Sequence, residues 1–242
     1  MNELEIQNKE YEIGTIWEFL EENEKQYINS IYDILLNFKD NKEFVTFLYS
    51  CGANHPIKRD SAYYNEEEFL ELKTFVDNSN EERYEAHQQN KLIHEKIYDY
   101  CQKNNIDRIE VFEKLYSFLD SLCTKIINKL YNKNINAHQF KHRAQLTWYT
   151  DGDFIKIHND GPISDRLCAV LIYLTPEKYY KVGNGGELVL QNRKNTLDIA
   201  YPILGNYAVI DFTKNTPMHG VHKVIGDFNR FAYLNFVTLN EK

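Results

Sequence analysis

Two side chains near residue 160 have the types and the spacing that a metal site requires. His158 and Asp160 stand two residues apart at the end of a short alternating run that begins near Phe154. Side chains on a strand alternate in direction, so residues two apart point the same way and can bind one ion from one side. A second histidine from elsewhere in the chain would complete a set of two imidazoles and one carboxylate. That set favours non-haem Fe(II) and leaves coordination positions open.

A His-x-Asp pair is weak evidence by itself. A chain with this many histidines and aspartates contains such a pair by chance about 0.5 times. The alternative interpretation is an ordinary surface or core histidine beside a turn. The pair therefore gains meaning only from the elements that position it.

Net charge and charge distribution limit the kinds of partner. The 242 residues carry a formal net charge of −8, and the lysines and arginines are scattered among glutamates. Proteins that bind nucleic acid through its phosphates usually have a basic face, and none is evident here. We therefore expect no nucleic-acid partner. The 18 tyrosines and 14 phenylalanines supply large buried area and, for tyrosine, a hydroxyl that can reach into a pocket.

The four cysteines, Cys51, Cys101, Cys123 and Cys168, are far apart and form no CxxC pair. This spacing predicts neither a zinc site nor a disulfide framework, so reduced and mostly buried thiols are expected. The sequence has no apolar run of membrane-spanning length, and its acidic N-terminus lacks the apolar core of a secretory signal. We therefore expect a cytoplasmic protein without membrane contact.

The first 140 residues are predicted to be mainly helical. Apolar residues recur at three-and-four spacing over 15–38, which indicates one amphipathic helix or two short ones. The clearest helix has its apolar stripe between Ile109 and Leu130, and Asp107 with Glu110 resembles a capping box at its start. We expect this stripe to pack on the outer face of the sheet that follows.

Further helices are predicted over 65–76 and 81–103. The loop between the first helical segments, residues 52–60, contains His55, Lys58 and Arg59. Such a loop is either an ordinary connection or a cover for an active site. The sequence leaves open whether residues 41–80 close over a site.

Beyond residue 140 the hydrophobic period becomes that of strands. Eight of the ten glycines and four of the five prolines lie in this part, where they mark turns. Alternating or apolar runs occur at 142–150, 154–158, 167–174, 187–191, 197–203, 207–212, 218–225 and 230–238. Eight such runs predict an antiparallel sandwich or jelly roll. We expect an α+β protein in which a helical region, residues 1–140, supports a core of about eight strands, residues 141–242, as one compact domain.

The motifs of the C-terminal part occur in a distinctive order. The His-x-Asp pair is followed by an apolar strand that ends in Tyr173-Leu174, by Gly185-Gly186-Glu187-Leu188, by His219-x-Val-x-x-Val, by a turn and by Arg230. Over residues 142–238 this series resembles the prolyl 4-hydroxylase-like Fe(II)/2-oxoglutarate-dependent oxygenases. The resemblance implies that the jelly roll is a double-stranded β-helix.

The resemblance also implies which residues bind the iron. It makes His158 and Asp160 the first two ligands, and the third is either His219 or His222. His219 fits the His-x-Val-x-x-Val pattern better and leaves room for a full hairpin before Arg230. His222 would then be a neighbour of the site or a surface residue.

Four further residues receive roles from the same resemblance. Arg230 corresponds to the basic residue that holds the distal carboxylate of 2-oxoglutarate, for which a guanidinium offers a matching fork of donors and a permanent charge. Tyr173 and Tyr149 occupy positions where similar hydroxylases place tyrosines against that carboxylate. Arg166 corresponds to a residue that lines the path of the substrate, with a solvated arginine at a strand start as the alternative.

The implied activity is hydroxylation of an unactivated C–H bond. Dioxygen and 2-oxoglutarate are consumed, succinate and CO2 are released, and ascorbate is the expected reductant. The first expected substrate is a prolyl or other amino-acid residue in a peptide or protein, and a free amino acid or small metabolite is the alternative. Two other classes stay open. One is a jelly-roll scaffold whose metal site no longer turns over, and the other is a metal-dependent isomerase that needs no 2-oxoglutarate.

Overall fold

The computed structural model describes residues 10–39, 108–131, 140–158, 166–191, 196–213 and 216–239. The predicted helices over 65–76 and 81–103 and the loop over 52–60 lie outside these ranges. The question of closure by residues 41–80 therefore stays open, and the division of the chain near residue 140 stays a prediction.

The strands form two antiparallel sheets. The described ranges contain β1 (Tyr11–Thr15), β2 (Phe140–Tyr149), β3 (Ile155–His158), β4 (Arg166–Tyr173), β5 (Leu188–Gln191), β6 (Leu197–Ala200), β7 (Asn206–Asp211), β8 (Met218–Val221) and β9 (Arg230–Leu239). One sheet has the order β1-β7-β4-β9-β2 and the other the order β3-β8-β5-β6. Without β1, this alternation of strands between two four-stranded sheets is the topology of a double-stranded β-helix. The predicted jelly roll and its eight strands are confirmed.

Two helices cover the outer face of the five-stranded sheet. Helix α1 (Glu22–Lys39) and helix α2 (Arg108–Tyr131) share one apolar cluster with residues of β2, β4, β7 and β9. Burying a leucine or isoleucine side chain contributes about 1.5–3 kcal/mol, so this cluster fixes the helices on the sheet, as predicted for α2. The fully buried residues of α2 are spaced mainly by three and four: Leu115, Leu119, Leu122, Cys123, Ile126 and Ile127.

A second apolar cluster fills the space between the two sheets. It is built from the inward-facing residues of both sheets and of the loops at one end: Tyr149, Ala169, Leu171, Tyr173, Leu188, Leu190, Ala200, Ala208, Ile210, Phe212, Val221, Val224, Phe228 and Ala232. We call this space the barrel interior. Most of the residues singled out in the sequence as candidates for chemistry lie on strands that line it.

Strand β1 was not predicted from the sequence. It pairs with β7 from Tyr11↔Ile210 to Thr15↔Asn206, and it adds a fifth strand to the edge of the larger sheet. The hydroxyl of Tyr11 donates to a carboxylate oxygen of Asp198 on β6. Strand β1 thus links the edges of both sheets, and the helical pattern begins only after it, with a single 3-10 turn at Trp17–Phe19.

Two predicted strands are shorter than expected. Strand β6 ends at Ala200, two residues before Pro202, which has no amide hydrogen to donate to a sheet. Strand β8 ends at Val221, although the backbone continues beside β5 for a few residues more. This continuation pairs residue 222 with residues 186 and 187, which lie beside the candidate site.

Two of the four cysteines fall in the described ranges. Cys123 and Cys168 are free and buried, as predicted. Burial raises the pKa of both thiols above the usual value, so they are protonated and poorly nucleophilic at neutral pH. Among the helices that the structure describes, none is long and apolar enough to span a membrane.

Candidate active site

Strands β3 and β8 bring residues 158 and 219 opposite each other. The register pairs are Ile155↔Val221 and His158↔His219, and the pairing shifts by one residue between them. Residues 219 and 221 share one face of β8, so the extra residue in β3 places positions 155 and 158 on that same face. Without this bulge, position 158 would lie on the opposite face from position 155. The two histidine positions therefore share the face that includes Val221 and borders the barrel interior.

Gly220 allows the close approach of the two strands at the bulge. A Cβ at residue 220 would lie 2.9 Å from the carbonyl oxygen of Ile155 and 3.0 Å from the amide nitrogen of Ile157. Both neighbours are backbone atoms, which cannot move aside without moving the strand. A side chain at residue 220 would therefore separate β3 from β8 and displace the histidine positions from each other.

The His219 side chain is buried and is oriented by a backbone carbonyl. Its Nδ1 lies 3.0 Å from the carbonyl oxygen of Pro217, and the residue is 7% exposed. Because a carbonyl oxygen only accepts, this contact assigns the proton to Nδ1 and the lone pair to Nε2. Metal-binding histidines usually donate their second ring N–H in this manner. His219 thus has the tautomer that metal binding through Nε2 requires.

His222, the other candidate for the third ligand, has different surroundings. Its side chain is 55% exposed, and its Nδ1 lies 3.2 Å from Oε2 of Glu187. It follows the end of β8 and contacts a carboxylate, whereas His219 lies within β8 and is buried. The two histidines that the sequence left as alternatives therefore differ in burial and in hydrogen-bond partner.

The complete ligand set lies partly outside the described residues. Asp160 is not among them, and neither is the side chain of His158. Within the described side chains, no three of the types His, Cys, Asp and Glu gather in a way that could hold a metal ion. The assignment of His158, Asp160 and His219 as ligands stays a prediction.

Arg230 is a buried cation enclosed by two tyrosines. It is 2% exposed, and its guanidinium carbon lies 4.9 Å from the ring centre of Tyr149 and 5.2 Å from that of Tyr173. Tyr149 is its register partner on β2, and Tyr173 ends the neighbouring strand on its other side, β4. A guanidinium over aromatic faces is attracted by their π electrons. The fold therefore brings these three residues, separated by up to 81 positions in the sequence, into one cluster.

Two buried polar atoms of this cluster lack a hydrogen-bond partner among the described residues. They are Nη2 of Arg230 and the hydroxyl of Tyr173. Leaving a buried polar group unpaired costs about 1–3 kcal/mol, and more for a charged group. Both groups can donate and one carries a positive charge, so a negatively charged acceptor fits beside them. A carboxylate has this chemistry, and the residues present therefore fit the distal carboxylate of 2-oxoglutarate.

The protonation state of Tyr173 supports the same conclusion. Burial raises the pKa of its hydroxyl above the usual value, and the positive charge of Arg230 offsets only part of that rise. The hydroxyl is therefore protonated at neutral pH and can donate. A phenol and a guanidinium side by side present two donors to one anion.

Arg166 lies apart from this cluster. It begins β4 whereas Tyr173 ends it, so the two residues are about 23 Å apart along the strand. The guanidinium carbon of Arg166 lies 4.3 Å from the ring centre of Phe236, which in turn stacks on Phe212. These contacts place the cation toward the end of the barrel opposite to Arg230. Its predicted role in lining the path of the substrate stays a prediction.

Two glycines that precede β5 had no role in the site predicted from the sequence. Gly186 has a φ of +78°, and a Cβ there would lie 2.9 Å from Cδ of Arg230. Gly185 has a φ of +73°, and its Cβ would lie 1.8 Å from the carbonyl oxygen of Lys223. Both positions thus require glycine for conformation and for space. The signal was visible as two adjacent glycines directly before a buried strand, but their contacts come from distant residues.

The strand region matches a known protein family. A family model described as the 2OG-Fe(II) oxygenase superfamily matches residues 144–238, which include all or most of each strand from β2 to β9. No curated protein matches the sequence. The family match thus covers only the C-terminal part of the chain.

Several solved structures are similar at low identity. A prolyl-4-hydroxylase from Pseudomonas putida is 18% identical with a TM-score of 0.42, and the match covers 55% of this chain and 67% of that one. An oxidoreductase of the 2OG-Fe(II) oxygenase family from Burkholderia pseudomallei is 20% identical with a TM-score of 0.41, over 52% of this chain and 57% of that one. A prolyl hydroxylase from Trichoplax adhaerens, in complex with a peptide fragment of the hypoxia inducible factor oxygen degradation domain, is 23% identical with a TM-score of 0.41, over 53% and 56%.

The chain therefore spans only 56 to 67% of the length of these proteins. Likenesses at this level do not assign a substrate. The family match does confirm the recognition made from the ordered motifs, and it implies Fe(II) and 2-oxoglutarate as cofactors. Residues 144–238 of this chain thus match the 2OG-Fe(II) oxygenase superfamily, and this match covers less than half of the 242 residues.

Proposed function

We propose that this chain is a 2-oxoglutarate-dependent dioxygenase that hydroxylates an unactivated C–H bond in a prolyl or other amino-acid residue of a peptide or protein. The substrate C–H, dioxygen and 2-oxoglutarate give C–OH, succinate and CO2, with one oxygen atom in the new hydroxyl and the other in succinate. The observation that carries the proposal is the buried Arg230–Tyr173 pair, because its donors, which have no partner among the described residues, match a carboxylate. The choice of a peptidyl substrate rests on the resemblance of the ordered motifs.

Fe(II) would be held by His158, Asp160 and His219. The register of β3 and β8 supports this assignment, since it places positions 158 and 219 opposite each other on the face that borders the barrel interior. The contact of His219 Nδ1 with Pro217 supports it as well. Iron bound by this set supplies the redox chemistry that activates dioxygen, which amino-acid side chains cannot provide.

Arg230 would hold the distal carboxylate of 2-oxoglutarate, with Tyr173 as a second donor and Tyr149 against the guanidinium. The bond from Nε of Arg230 to the carbonyl oxygen of Gly186 leaves Nη2 for the ligand. A charge-assisted hydrogen bond in a buried site is about twice as strong as a neutral one. These residues therefore bind and orient the cosubstrate and take no part in bond making.

The barrel interior would exclude water from the reaction. Leu188, Leu190, Val221 and Phe228 line it and are nearly fully buried. Excluding water strengthens the electrostatic contacts of the cosubstrate and protects reactive species from solvent. Arg166, at the opposite end of β4 from Tyr173, would line the path of the substrate.

The first experiment measures cosubstrate and metal binding to the full chain. We expect Mn(II), a redox-inert substitute for Fe(II), to bind and to allow saturable binding of 2-oxoglutarate in isothermal titration calorimetry. With Fe(II) and ascorbate, we expect release of succinate that increases when the right substrate is present. A protein that binds neither Mn(II) nor 2-oxoglutarate would contradict the proposal.

The second experiment identifies the substrate class. Peptide mixtures rich in proline are compared with free amino acids, and products are detected by mass spectrometry as the gain of one oxygen atom. We expect hydroxylated peptide. Hydroxylation of free amino acids alone would favour the metabolite alternative. A cytoplasmic location, predicted from the separated and unpaired cysteines, can be checked by fractionation of the cells that express the chain.

A further inference from the structure

The carbonyl oxygen that holds Arg230 belongs to the peptide bond between Gly186 and Glu187. Nε of Arg230 donates to this oxygen at 2.6 Å. A peptide unit is rigid and planar, so the direction of this carbonyl is coupled to the backbone conformation of Glu187. On the other side of this peptide unit, the backbone angles of Gly186 are weakly restricted, because glycine has no side chain. The orientation of Arg230 therefore depends on how firmly residue 187 is held.

The side chain of Glu187 is held by two donors. Its Oε1 accepts from the hydroxyl of Tyr180 at 2.6 Å, and its Oε2 lies 3.2 Å from Nδ1 of His222. The residue is 8% exposed, although glutamates usually lie on the surface. A buried carboxylate is costly unless it is hydrogen-bonded. Each of the two carboxylate oxygens thus has a hydrogen-bond partner, and together these contacts fix the orientation of the side chain.

The backbone of Glu187 is held by the same neighbour. The amide of His222 donates to the carbonyl oxygen of Glu187 at 2.9 Å, and the amide of Gly186 donates to the carbonyl oxygen of His222 at 3.1 Å. These bonds extend the pairing of β5 with β8 by one step beyond Leu188↔Val221. Residues 186 and 187 are thus anchored to 222 through the main chain, and Glu187 also through its side chain.

Tyr180 connects this network to the wall of the barrel interior. Its ring contacts Phe228 edge-on, with ring centroids 5.4 Å apart. Phe228 is buried, and its Cε1 would lie 3.4 Å from a Cβ at Gly186. Tyr180 thus packs on a phenylalanine that lies beside Gly186. Burial raises the pKa of the Tyr180 hydroxyl, and its bond to Glu187 raises it further, so the hydroxyl is protonated and donates.

We propose that Glu187 is a positioning residue for 2-oxoglutarate. Held by Tyr180 and His222, it fixes the peptide plane whose carbonyl orients the Arg230 guanidinium toward the distal carboxylate. Glu187 would act through Arg230 and not through direct contact with the cosubstrate. The inference rests on the proposed role of Arg230 and adds the network that aligns it.

The test compares 2-oxoglutarate binding by variants of the full chain saturated with Mn(II). In Glu187→Ala the anchors of the side chain are lost, and we expect the dissociation constant of 2-oxoglutarate to rise on the order of tenfold. In Glu187→Gln the amide oxygen still accepts from Tyr180 and the amide group still reaches His222. We expect this variant to stay within about threefold of the unaltered chain, since a neutral hydrogen bond replaces a charged one.

Two measurements separate positioning from a general loss of structure. The affinity for Mn(II) alone should be nearly unchanged in Glu187→Ala, because the anchored segment lies outside the predicted ligands. The melting temperature should fall only modestly, since two side-chain hydrogen bonds at a buried carboxylate are lost. Glu177→Ala is the matched control, since Glu177 is an exposed carboxylate in the 3-10 turn at Glu177–Tyr179. It should bind 2-oxoglutarate like the unaltered chain.

Three results would overturn the inference. Glu187→Ala could bind 2-oxoglutarate as tightly as the unaltered chain. Glu187→Gln could be as weak as Glu187→Ala, which would make the charge and not the anchoring responsible. Affinities for Mn(II) and 2-oxoglutarate could fall together with the melting temperature, which would indicate a structural role only. By contrast, failure of the unaltered chain to bind 2-oxoglutarate would remove the proposed function itself.

Discussion

Gly186 lies so close to Arg230 that a Cβ at residue 186 would approach Cδ of the arginine to 2.9 Å. We therefore expect Gly186→Ala to displace the guanidinium from the distal carboxylate of 2-oxoglutarate. The dissociation constant of 2-oxoglutarate, measured by calorimetry in the presence of Mn(II), should rise by at least about tenfold, equivalent to about 1.4 kcal/mol.

Gly183→Ala is the control for the backbone strain that alanine causes at a positive φ. Gly183 also has a positive φ, +100°, but a Cβ there would meet no atom within 4 Å. Both substitutions strain the backbone by about 1–3 kcal/mol, whereas only the one at residue 186 reaches Arg230. Equal affinities in the two variants would show that the contact with Arg230 is unimportant.

Replacing Arg230 by methionine removes the proposed anchor and keeps much of the apolar bulk. We expect a loss of 2-oxoglutarate binding on the order of 2–5 kcal/mol, as for a buried charge pair that loses one partner. Thermal unfolding gives a second measurement. Because a ligand at 100 times its dissociation constant stabilises the folded state by about 2.7 kcal/mol, 2-oxoglutarate with Mn(II) should raise the melting temperature of the unaltered chain. An equal rise in Arg230→Met would place the anchor elsewhere.

The two C-terminal histidines should differ in metal binding. His219→Ala removes the imidazole whose tautomer suits a metal, so we expect loss of Mn(II) binding in calorimetry and electron paramagnetic resonance. His158→Ala and Asp160→Ala should do the same if they complete the set. His222→Ala is the matched control and should keep its affinity for Mn(II). The reverse pattern, with His222 essential and His219 dispensable, would exchange the roles of these residues.

Glu24 joins the two helices through Lys125, and its effect on stability should depend on pH. Its carboxylate lies 2.7 Å from Nζ of Lys125 and accepts the amide of Glu21. Burial alone raises the pKa of Glu24, but these partners outweigh burial and lower it below the usual 4.5. Its contribution to stability is thus present above that usual value and is lost as pH falls through the lowered pKa.

We expect Glu24→Gln to reduce the free energy of unfolding at pH 7 by up to about 1 kcal/mol, because the pair is partly exposed to solvent. The difference from the unaltered chain should shrink as pH falls below 4.5. Chemical denaturation at several pH values measures both effects. Glu22→Gln, at an exposed position in the same helix, should show a much smaller difference. A pH-independent difference for Glu24→Gln would exclude the ionic contribution.

The eight strands from β2 to β9 could be predicted because their signals are local. A hydrophobic period of two and turn residues at the ends can be recognised without knowing the partner strand. Helix α2 was found in the same way, from three-and-four spacing. Strand β1 could not be found, because five residues of weak pattern become a strand only by pairing with β7, about 195 residues later.

Part of the candidate site was predictable because residue types and their order are also local signals. Residue types and their order singled out His158, Asp160, Arg230 and the two tyrosines. The roles of Gly186, Gly220 and Glu187 could not be read in advance, because each depends on a contact with a segment far away in the sequence.

The sequence by itself determined which side chains are available for chemistry and on which elements they stand. Only the tertiary structure decided that a bulge in β3 sets position 158 opposite 219 and that Arg230 is enclosed between Tyr149 and Tyr173. It also decided that Nη2 of Arg230 and the hydroxyl of Tyr173 have no hydrogen-bond partner among the described residues. The physical reason is that the alternation of side chains along a strand is a local property. Register, burial and the pairing of buried polar groups depend on which distant strands meet.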